Sequence, residues 1–190
     1  MLDVAIAFLG LFLTLPLLIM CAVWIKLDSK GPCLFRQKRH GLHGRTFTIY
    51  KFRTMHVLED GDLVVQVKAG DCRVTRVGRI LRRTSLDELP QLLNVLRGDM
   101  SLVGPRPHAV VHDQYYSAVI PSYDARFTAK PGITGWAQVN GARGETPEVS
   151  DMERRVELDL WYIEHWTLLL DLRILVRTVA HEIFLSTQAR

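Results

Sequence analysis

A long uncharged run at the N-terminus places the strongest constraint on how this chain can fold. From Val4 to Ile25 no residue is charged, and as a helix this run would be about 33 Å long, close to the thickness of a bilayer core. A cleaved signal peptide would have basic residues first and a shorter apolar run, whereas here Asp3 leads. A buried core helix of this length with no polar face would be unusual in so small a domain. The sequence therefore predicts a membrane segment.

Pro16 lies in the middle of this run. It removes the backbone hydrogen bond to the carbonyl of Phe12, so we expect a bend, with Thr14 available to bond the carbonyl of Gly10. A bent segment would enter the membrane and return, whereas a straight one would span it; the sequence leaves both geometries open. Basic residues flank only the C-terminal side, which predicts that this flank is cytoplasmic. They are Lys26, Lys30, Arg36, Lys38 and Arg39.

The rest of the chain is apolar enough to fold around a core, with 48% hydrophobic and 23% charged residues in 190. Runs rich in β-branched and aromatic residues on either side of Gly41 and Gly44 predict a basic β-hairpin over residues 34–37 and 46–53. A further β-branched run predicts a strand over 63–68. With the helices described below, these strands indicate an α+β fold.

Two helices are expected in the C-terminal part. The first is amphipathic and opens at Ser150, whose spacing to Glu153 fits a capping box. Between the two helices lie Trp161, Tyr162 and Trp166. These rings are either core aromatics or side chains at the depth of lipid headgroups, and we expect at least one of them to belong to the core.

The segment RVTRVGRILRR predicts a helix with an arginine row on one face. The row comprises Arg73, Arg76, Arg79 and Arg82 or Arg83. It is either a solvated face or a surface for anions; the absence of interleaved acids favours anions, because like charges at this spacing repel each other. The net charge of +4 fits anionic partners such as a membrane surface or phosphates.

Asp87 and Glu88 stand directly behind two arginines and ahead of Pro90. Ser85 and Glu88 fit a capping box, so a helix cap is one interpretation. Pro90 would delete a backbone bond in such a helix, which would therefore begin near Pro90 or bend there. In either case both carboxylates lie at a helix N-terminus, whose positive end favours their ionised form. An ionised aspartate is a nucleophile that needs no activating base, and phosphorus is a suitable target.

An anion that attacks a phosphate needs cations around it. Basic side chains supply them, usually with Mg²⁺ held by one or two carboxylates and substrate oxygens. The candidates are Lys51, Arg53, Arg82, Arg83 and Arg106. Arg106 lies between the prolines of GPRP, which restrict its backbone, so it is either a solvent arginine on a rigid loop or a bidentate phosphate clamp.

Four segments in order behind the apolar run resemble the bacterial monotopic phosphoglycosyl transferases, and the resemblance covers residues 1 to about 182. They are KFRTM (51–55), RRTSLDELPQLLNVLRGDMSLVGPRP (82–107), PGITGWAQVNGARG (131–144) and LDLWYIEHWTLLLDLRIL (158–175). The resemblance implies transfer of a sugar-1-phosphate from a UDP-sugar, with a UDP-hexose expected, to undecaprenyl phosphate with release of UMP.

The resemblance also implies roles for single residues. Asp87 would attack the sugar-bearing phosphate and form a covalent phosphosugar, and Glu88 would bind Mg²⁺. Arg106 matches a phosphate-binding arginine of that family, and Arg82 and Lys51 match its basic site residues. Arg53 joins them here as an expected phosphate contact.

The same resemblance implies a re-entrant helix with both ends in the cytoplasm. We therefore expect a membrane-embedded helix over 1–30, and over 31–190 a catalytic domain with interfacial amphipathic helices on the cytoplasmic face of the bacterial inner membrane. Membrane lipids would be partners, nucleic acid would not, and a homodimer is plausible. This chain has Leu15 before Pro16 where that family has a serine. A catalytic half, a truncated chain and a short homologue all fit the match.

Two other functions fit parts of the sequence. A membrane-anchored module could bind anionic lipid or nucleic acid through its arginine row, with the acids serving only as a helix cap. A glycoside hydrolase would need two carboxylates on opposite sides of the scissile bond, which adjacent residues do not naturally provide.

Overall fold

The computed structural model describes residues 2–56, 70–144 and 146–188, with side chains as far as His181. In these residues the chain is mainly helical with two small sheets, which confirms the predicted α+β class. The strand predicted over 63–68 lies outside the described residues.

The chain forms two compact units. The first comprises residues 1–37 and 48–98, and the second residues 38–47 and 99–190. The boundary predicted at residue 30, between a membrane-embedded helix and a catalytic domain, stays a prediction.

Helix α1 (Leu2–Asp28) runs through Pro16 as one helix. Thr14 Oγ1 donates a hydrogen bond of 2.6 Å to the carbonyl of Gly10, as predicted. The helix is long and apolar enough to cross a membrane, by length and composition alone, and only 11% of its most apolar window is buried. So little burial argues against a core helix of a soluble protein.

The first unit completes its fold with short elements. Strands β1 (Leu34–His40) and β2 (Thr46–Phe52) form the predicted hairpin around a 3₁₀ turn. After the undescribed segment come α2 (Arg76–Arg83), a 3₁₀ helix (Leu86–Gln91) and α3 (Leu92–Arg97).

Both α2 and α3 pack against α1. Val77 and Leu81 of α2 join Cys21, Ile25 and Phe52 in a buried apolar cluster. At the other half of α1, a Cβ on Gly10 would lie 3.4 Å from Leu92 Cδ1 of α3. The folded part of this unit therefore contacts both halves of α1.

The second unit is built around two parallel strands. Strands β3 (Ser101–Val103) and β4 (Gly132–Thr134) pair with Ser101 opposite Gly132. Between them come α4 (Val110–Val119) and a 3₁₀ helix (Tyr123–Thr128), and after them α5 (Trp136–Val139), α6 (Val149–Glu164) and α7 (Leu168–Gln188).

Gly104 and Gly132 allow the backbones beside these strands to approach each other. A Cβ on Gly132 would lie 2.1 Å from the nitrogen of Gly104, and a Cβ on Gly104 would lie 2.3 Å from the carbonyl oxygen of Lys130. No side chain larger than hydrogen fits at either position.

The start of α6 differs from the prediction. The capping box is formed by Glu148 and Asp151, and not by Ser150 and Glu153, so the helix begins at Val149. An acid at the cap accepts the same backbone N–H bonds as a serine would, and its charge also suits the positive end of the helix. Of the three aromatic residues discussed above, Tyr162 is buried, while Trp161 and Trp166 are exposed.

Candidate active site

Asp87 and Glu88 lie in the first turn of the 3₁₀ helix Leu86–Gln91, and both are partly buried. The residue that starts this helix, Ser85, has φ of 52°, in the left-handed region that few residues other than glycine occupy. Its side chain makes no capping hydrogen bond, so the interpretation of Ser85 and Glu88 as a capping box is wrong. Backbone strain of this kind is often found at functional sites, and here it directly precedes the acid pair.

Glu88 is paired with a cation from the hairpin. Lys51 Nζ lies 3.0 Å from Glu88 Oε1, with side-chain exposures of 17% and 13%. The predicted proximity of Lys51 to the acid pair is therefore observed. A partly exposed ammonium beside the Glu88 carboxylate can hold an anionic substrate while remaining able to move.

A buried amide sets the distance between the strand and the acids. Asn94 of α3 donates from Nδ2 to the carbonyl of Thr48 at 2.7 Å, and its Oδ1 accepts from the N–H of Tyr50 at 3.1 Å. Asn94 is fully buried. Because α3 continues directly from the 3₁₀ helix, this bridge fixes β2, with Lys51, against the segment that carries Glu88.

Arg53 has a different environment from Lys51. It is 2% exposed, and Nη2 donates to the carbonyl of Ser29 at 2.7 Å and to its hydroxyl at 2.9 Å. Nη1 donates to the carbonyl of Lys30, and a Cβ on Gly31 would lie 2.1 Å from the same nitrogen. These contacts give Arg53 a structural role at the end of α1, and its expected contact with phosphate stays a prediction without support from the geometry.

Arg82 and Arg83 are exposed in the last turn of α2. In the part of the chain that the structure describes, no three His, Cys, Asp or Glu side chains are grouped to hold a metal ion. Mg²⁺ does not need such a group, since it binds through one or two carboxylates together with substrate phosphates. The carboxylate oxygens of Asp87 and Glu88 fit that donor type.

Arg106 belongs to the second unit, in the GPRP loop after β3. The loop is fixed by backbone bonds from Gly104 N to Thr134 O at 2.9 Å and from Gly132 N to Pro105 O at 3.0 Å. Arg39 Nη1 also donates to the carbonyl of Pro107 at 3.3 Å. The backbone of Arg106 is thus held on both sides, as expected of a rigid loop.

A buried ion pair supports the same loop. Arg126 Nη2 donates to the carbonyl of Arg106 at 2.7 Å, and Arg126 Nε lies 2.8 Å from Asp159 Oδ2, with both side chains 3% exposed. Burial opposes the positive charge of Arg126, but Asp159 and Tyr123 outweigh it, so the pKa of Arg126 is raised. The guanidinium therefore stays charged.

His108 lies at the centre of this buried network. The hydroxyl of Tyr123 donates to Asp113 Oδ1 at 2.7 Å, and its oxygen lies 2.7 Å from His108 Nδ1. Two guanidinium groups also face the imidazole: Arg126 Nη1 lies 3.2 Å from Nδ1, and Arg155 Nη1 lies 3.3 Å from Nε2. Burial, followed by the charges of Arg126 and Arg155, holds the pKa of His108 well below its usual value. The imidazole is neutral.

Arg155 connects the network to a second loop. It donates from Nε to the carbonyl of Ala142 at 2.9 Å and from Nη2 to that of Gly144 at 2.8 Å. Burial, followed by the charge of Arg106, lowers the pKa of Arg155. Two residues one turn apart on α6, Arg155 and Asp159, thus support the loops that carry Arg106 and Arg143.

This network was not predicted, although the sequence of α6 carries a signal of it. The buried face of α6 contains charged residues at helical spacing among apolar ones: Met152, Arg155, Val156, Asp159 and Tyr162. Charged residues are almost never fully buried unless they are paired, so charges on an apolar stripe indicate internal partners.

Comparisons with known proteins agree with the resemblance described above. The family model for bacterial sugar transferases matches residues 1–184. The chain is 61% identical to the UDP-glucose:undecaprenyl-phosphate glucose-1-phosphate transferase of Caulobacter vibrioides, over 94% of this chain and 67% of that protein. Proteins with the same name from Xanthomonas campestris and Escherichia coli are 55% and 52% identical, over 91% and 93% of this chain.

The chain corresponds to only part of these relatives. It spans 35% of the Xanthomonas protein and 38% of the Escherichia protein. The match to the family model nevertheless extends over almost the whole chain. This chain belongs to the bacterial sugar transferase family.

Proposed function

We propose that this protein transfers a sugar-1-phosphate from a UDP-sugar to undecaprenyl phosphate and releases UMP, as the first membrane step of exopolysaccharide or other glycan assembly. The observation that carries the proposal is the pair Asp87 and Glu88, with Lys51 Nζ 3.0 Å from Glu88 Oε1, in a chain 61% identical to a protein named for this reaction. The names of the relatives in Caulobacter, Xanthomonas and Escherichia support a UDP-hexose, with UDP-glucose as the first candidate.

The reaction proceeds in two exchanges at one phosphorus atom. A carboxylate oxygen of Asp87 bonds to the sugar-bearing phosphorus, and the bond to the bridging oxygen breaks, so that UMP leaves with that oxygen and its electron pair. A phosphate oxygen of undecaprenyl phosphate then bonds to the same phosphorus, and the Asp87 carboxylate leaves. The two anionic substrates therefore need not bind side by side.

Cations compensate the charge that accumulates on the phosphates. In the first unit, Lys51 and Arg82 would bind substrate phosphate. In the second unit, Arg106 would bind a substrate phosphate from its rigid loop. Glu88 would hold Mg²⁺, which neutralises phosphate charge when bound.

The packing of α1 supports a re-entrant placement in the bacterial inner membrane with both ends on the cytoplasmic face. The folded part of the first unit contacts α1 at Gly10 and again at Cys21 and Ile25, and a straight span would draw these contacts into the lipid. Between them the outward side chains are exposed, among them Phe12 at 69% and Leu13 at 67%.

In the second unit, the exposed surface of α7 supports an interfacial placement of this helix. Its exposed apolar side chains repeat at helical spacing: Leu168, Leu169, Leu172, Val176 and Val179. The exposed rings of Trp161 and Trp166 lie just before it. Such a face gains stability when it lies on a bilayer surface.

The test is a burst experiment with detergent-solubilised protein, Mg²⁺ and a panel of UDP-sugars, without acceptor. We expect near-stoichiometric UMP and a sugar-phosphate mass on the protein that disappears when undecaprenyl phosphate is added. Asp87→Asn should abolish both signals, whereas Asp124→Asn, the same change at an exposed acid, should leave them intact. A normal burst from Asp87→Asn would rule out the proposed nucleophile.

A second candidate, a membrane-anchored module that binds anionic lipid or nucleic acid without catalysis, is favoured by one observation. Arg76, Arg79, Arg82 and Arg83 are all exposed on α2. That function predicts salt-sensitive binding and no UMP from any UDP-sugar.

A further inference from the structure

The N-terminal end of α2 lies at the polar end of α1. Asp28 Oδ2 accepts a hydrogen bond of 3.1 Å from the N–H of Val77, while Val77 and Leu81 pack against Cys21 and Ile25. This contact places the first turn of α2 where α1 changes from apolar to polar residues.

Four exposed cations lie on these two segments: Lys26, Lys30, Arg76 and Arg79. We refer to them as the basic collar. In the described part of the chain, none of the four cations forms a salt bridge. The nearby carboxylate of Asp28 accepts a hydrogen bond from the backbone N–H of Val77. Like charges on neighbouring turns repel each other, and the charge of Asp28 does not balance four cations, so an external anion would stabilise this surface.

The collar borders an exposed apolar surface on α1. Val23 is 54% exposed, Trp24 40% and Leu27 81%. Ile80, within one turn of both Arg76 and Arg79, is 46% exposed. Long basic side chains beside apolar ones can lay their methylene stems on the apolar surface and direct their charges to the boundary with water.

We propose that the basic collar binds the phosphate groups of anionic phospholipids and so docks the polar end of α1 at a negatively charged leaflet. The inference rests on the membrane placement of α1 proposed above. A free phosphate or a nucleic acid would match the charges, but it would gain nothing from Val23, Trp24 and Leu27. A headgroup with its acyl chains matches both the charged and the apolar surface.

The test measures which lipids the protein retains. Full-length protein in mixed micelles with equal amounts of phosphatidylglycerol and phosphatidylcholine is freed of excess lipid, and the retained lipids are quantified by mass spectrometry. We expect phosphatidylglycerol to be enriched in the wild type. Since each cation near a membrane surface changes anionic lipid binding about fivefold, the double variant Arg76→Gln, Arg79→Gln should lose about an order of magnitude or more of this enrichment.

Two controls make the result specific. The charge-conserving variant Arg76→Lys, Arg79→Lys and the variant Arg154→Gln, which changes an exposed arginine of α6, should keep the enrichment. Thermal unfolding should not distinguish any of the three variants from wild type, because the substituted side chains are exposed.

Several outcomes would overturn the proposal. Unchanged enrichment in the double glutamine variant would exclude the arginines, and displacement of lipid by inorganic phosphate, beyond that by chloride of equal ionic strength, would identify a free-phosphate site. Equal retention of both lipids would exclude anionic-lipid binding by the collar but not the proposed membrane placement of α1. Retention of neither lipid would exclude both proposals. None of these results bears on the UMP burst, so the transferase proposal is judged separately.

Discussion

The two units each contain an acid–base pair, and the pairs differ in burial. Lys51 and Glu88 are 3.0 Å apart with exposures of 17% and 13%, whereas Arg126 and Asp159 are 2.8 Å apart with exposures of 3% each. A buried pair cannot separate without leaving a charge unsolvated, while a partly exposed pair can exchange its partner for water or a ligand. We infer that the first pair serves substrate binding and that the second serves as a scaffold.

Breaking the buried pair should have the largest effect. Asp159→Ala leaves the charge of Arg126 buried without its carboxylate, and we expect a loss of about 3–5 kcal/mol in the free energy of unfolding. Chemical denaturation in detergent measures it. The double variant Arg126→Met, Asp159→Leu should recover part of this loss, and a loss below about 1 kcal/mol from Asp159→Ala would contradict the scaffold role.

In the partly exposed pair, a substitution should affect activity more than stability. Glu88→Gln keeps the shape of the side chain, so we expect stability to change by no more than about 1 kcal/mol. The UMP burst should slow about 100-fold, equivalent to about 2.7 kcal/mol in the barrier. Glu157→Gln, at an exposed position of α6, is the matched control. An unchanged burst rate in the Glu88 variant would remove this residue from the site.

The side-chain amide of Asn94, which connects β2 to α3, should have an intermediate effect on stability. Asn94→Leu leaves the N–H of Tyr50 and the carbonyl of Thr48 without their partner, which should cost about 2 kcal/mol of stability. A burst rate lowered together with stability would show that the bridge positions Lys51. Leu93→Asn, a polar change at the exposed neighbour, should alter neither measurement; if both variants behave alike, the bridge has no special role.

The smallest effect expected is on pH dependence. The pKa of His108 is lowered in the folded state, so below pH about 6.5 the unfolded chain binds a proton that the folded chain does not, and stability falls by up to about 1.4 kcal/mol per pH unit. At lower pH, the raised pKa values of Asp113 and Asp159 act in the opposite direction. Unfolding measured at pH 7.5, 6.5 and 5.5 should show the decline. His108→Gln should remove it, and an equal decline in that variant would assign it to other groups.

Much of the first unit could be predicted because its signals are local. The apolar run, the glycines around the hairpin turn and the arginine row each predict one element from adjacent residues, and Thr14 bonds Gly10 within one turn of helix. The predicted row was wrong at Arg73, which lies before α2 and pairs with Asp71 at 2.7 Å. The acid pair was predicted at a helix N-terminus, where it lies. The left-handed conformation of Ser85 was not predicted, because it depends on how α2 meets the 3₁₀ helix.

The second unit was less predictable because its bonds join distant positions. Arg126 and Asp159 are far apart in sequence, and Arg126 also bonds the carbonyl of Arg106. A single sequence does not specify such partners, although charged residues on the apolar stripe of α6 indicate that they exist. The capping error at α6 has a simpler cause, since serine and glutamate both suit a helix start.

The close approach at Gly104 and Gly132 restricts where this protein can be engineered. Because a Cβ at either position would overlap the neighbouring backbone, a randomised library that varies these glycines should lose most of its folded members. In the Arg143 loop, a Cβ on Gly144 would have no neighbour within 4 Å, so this position has space for a new side chain and is the better place to introduce diversity. Gly141 in the same loop has φ of 87°, which side chains rarely adopt, and should be kept.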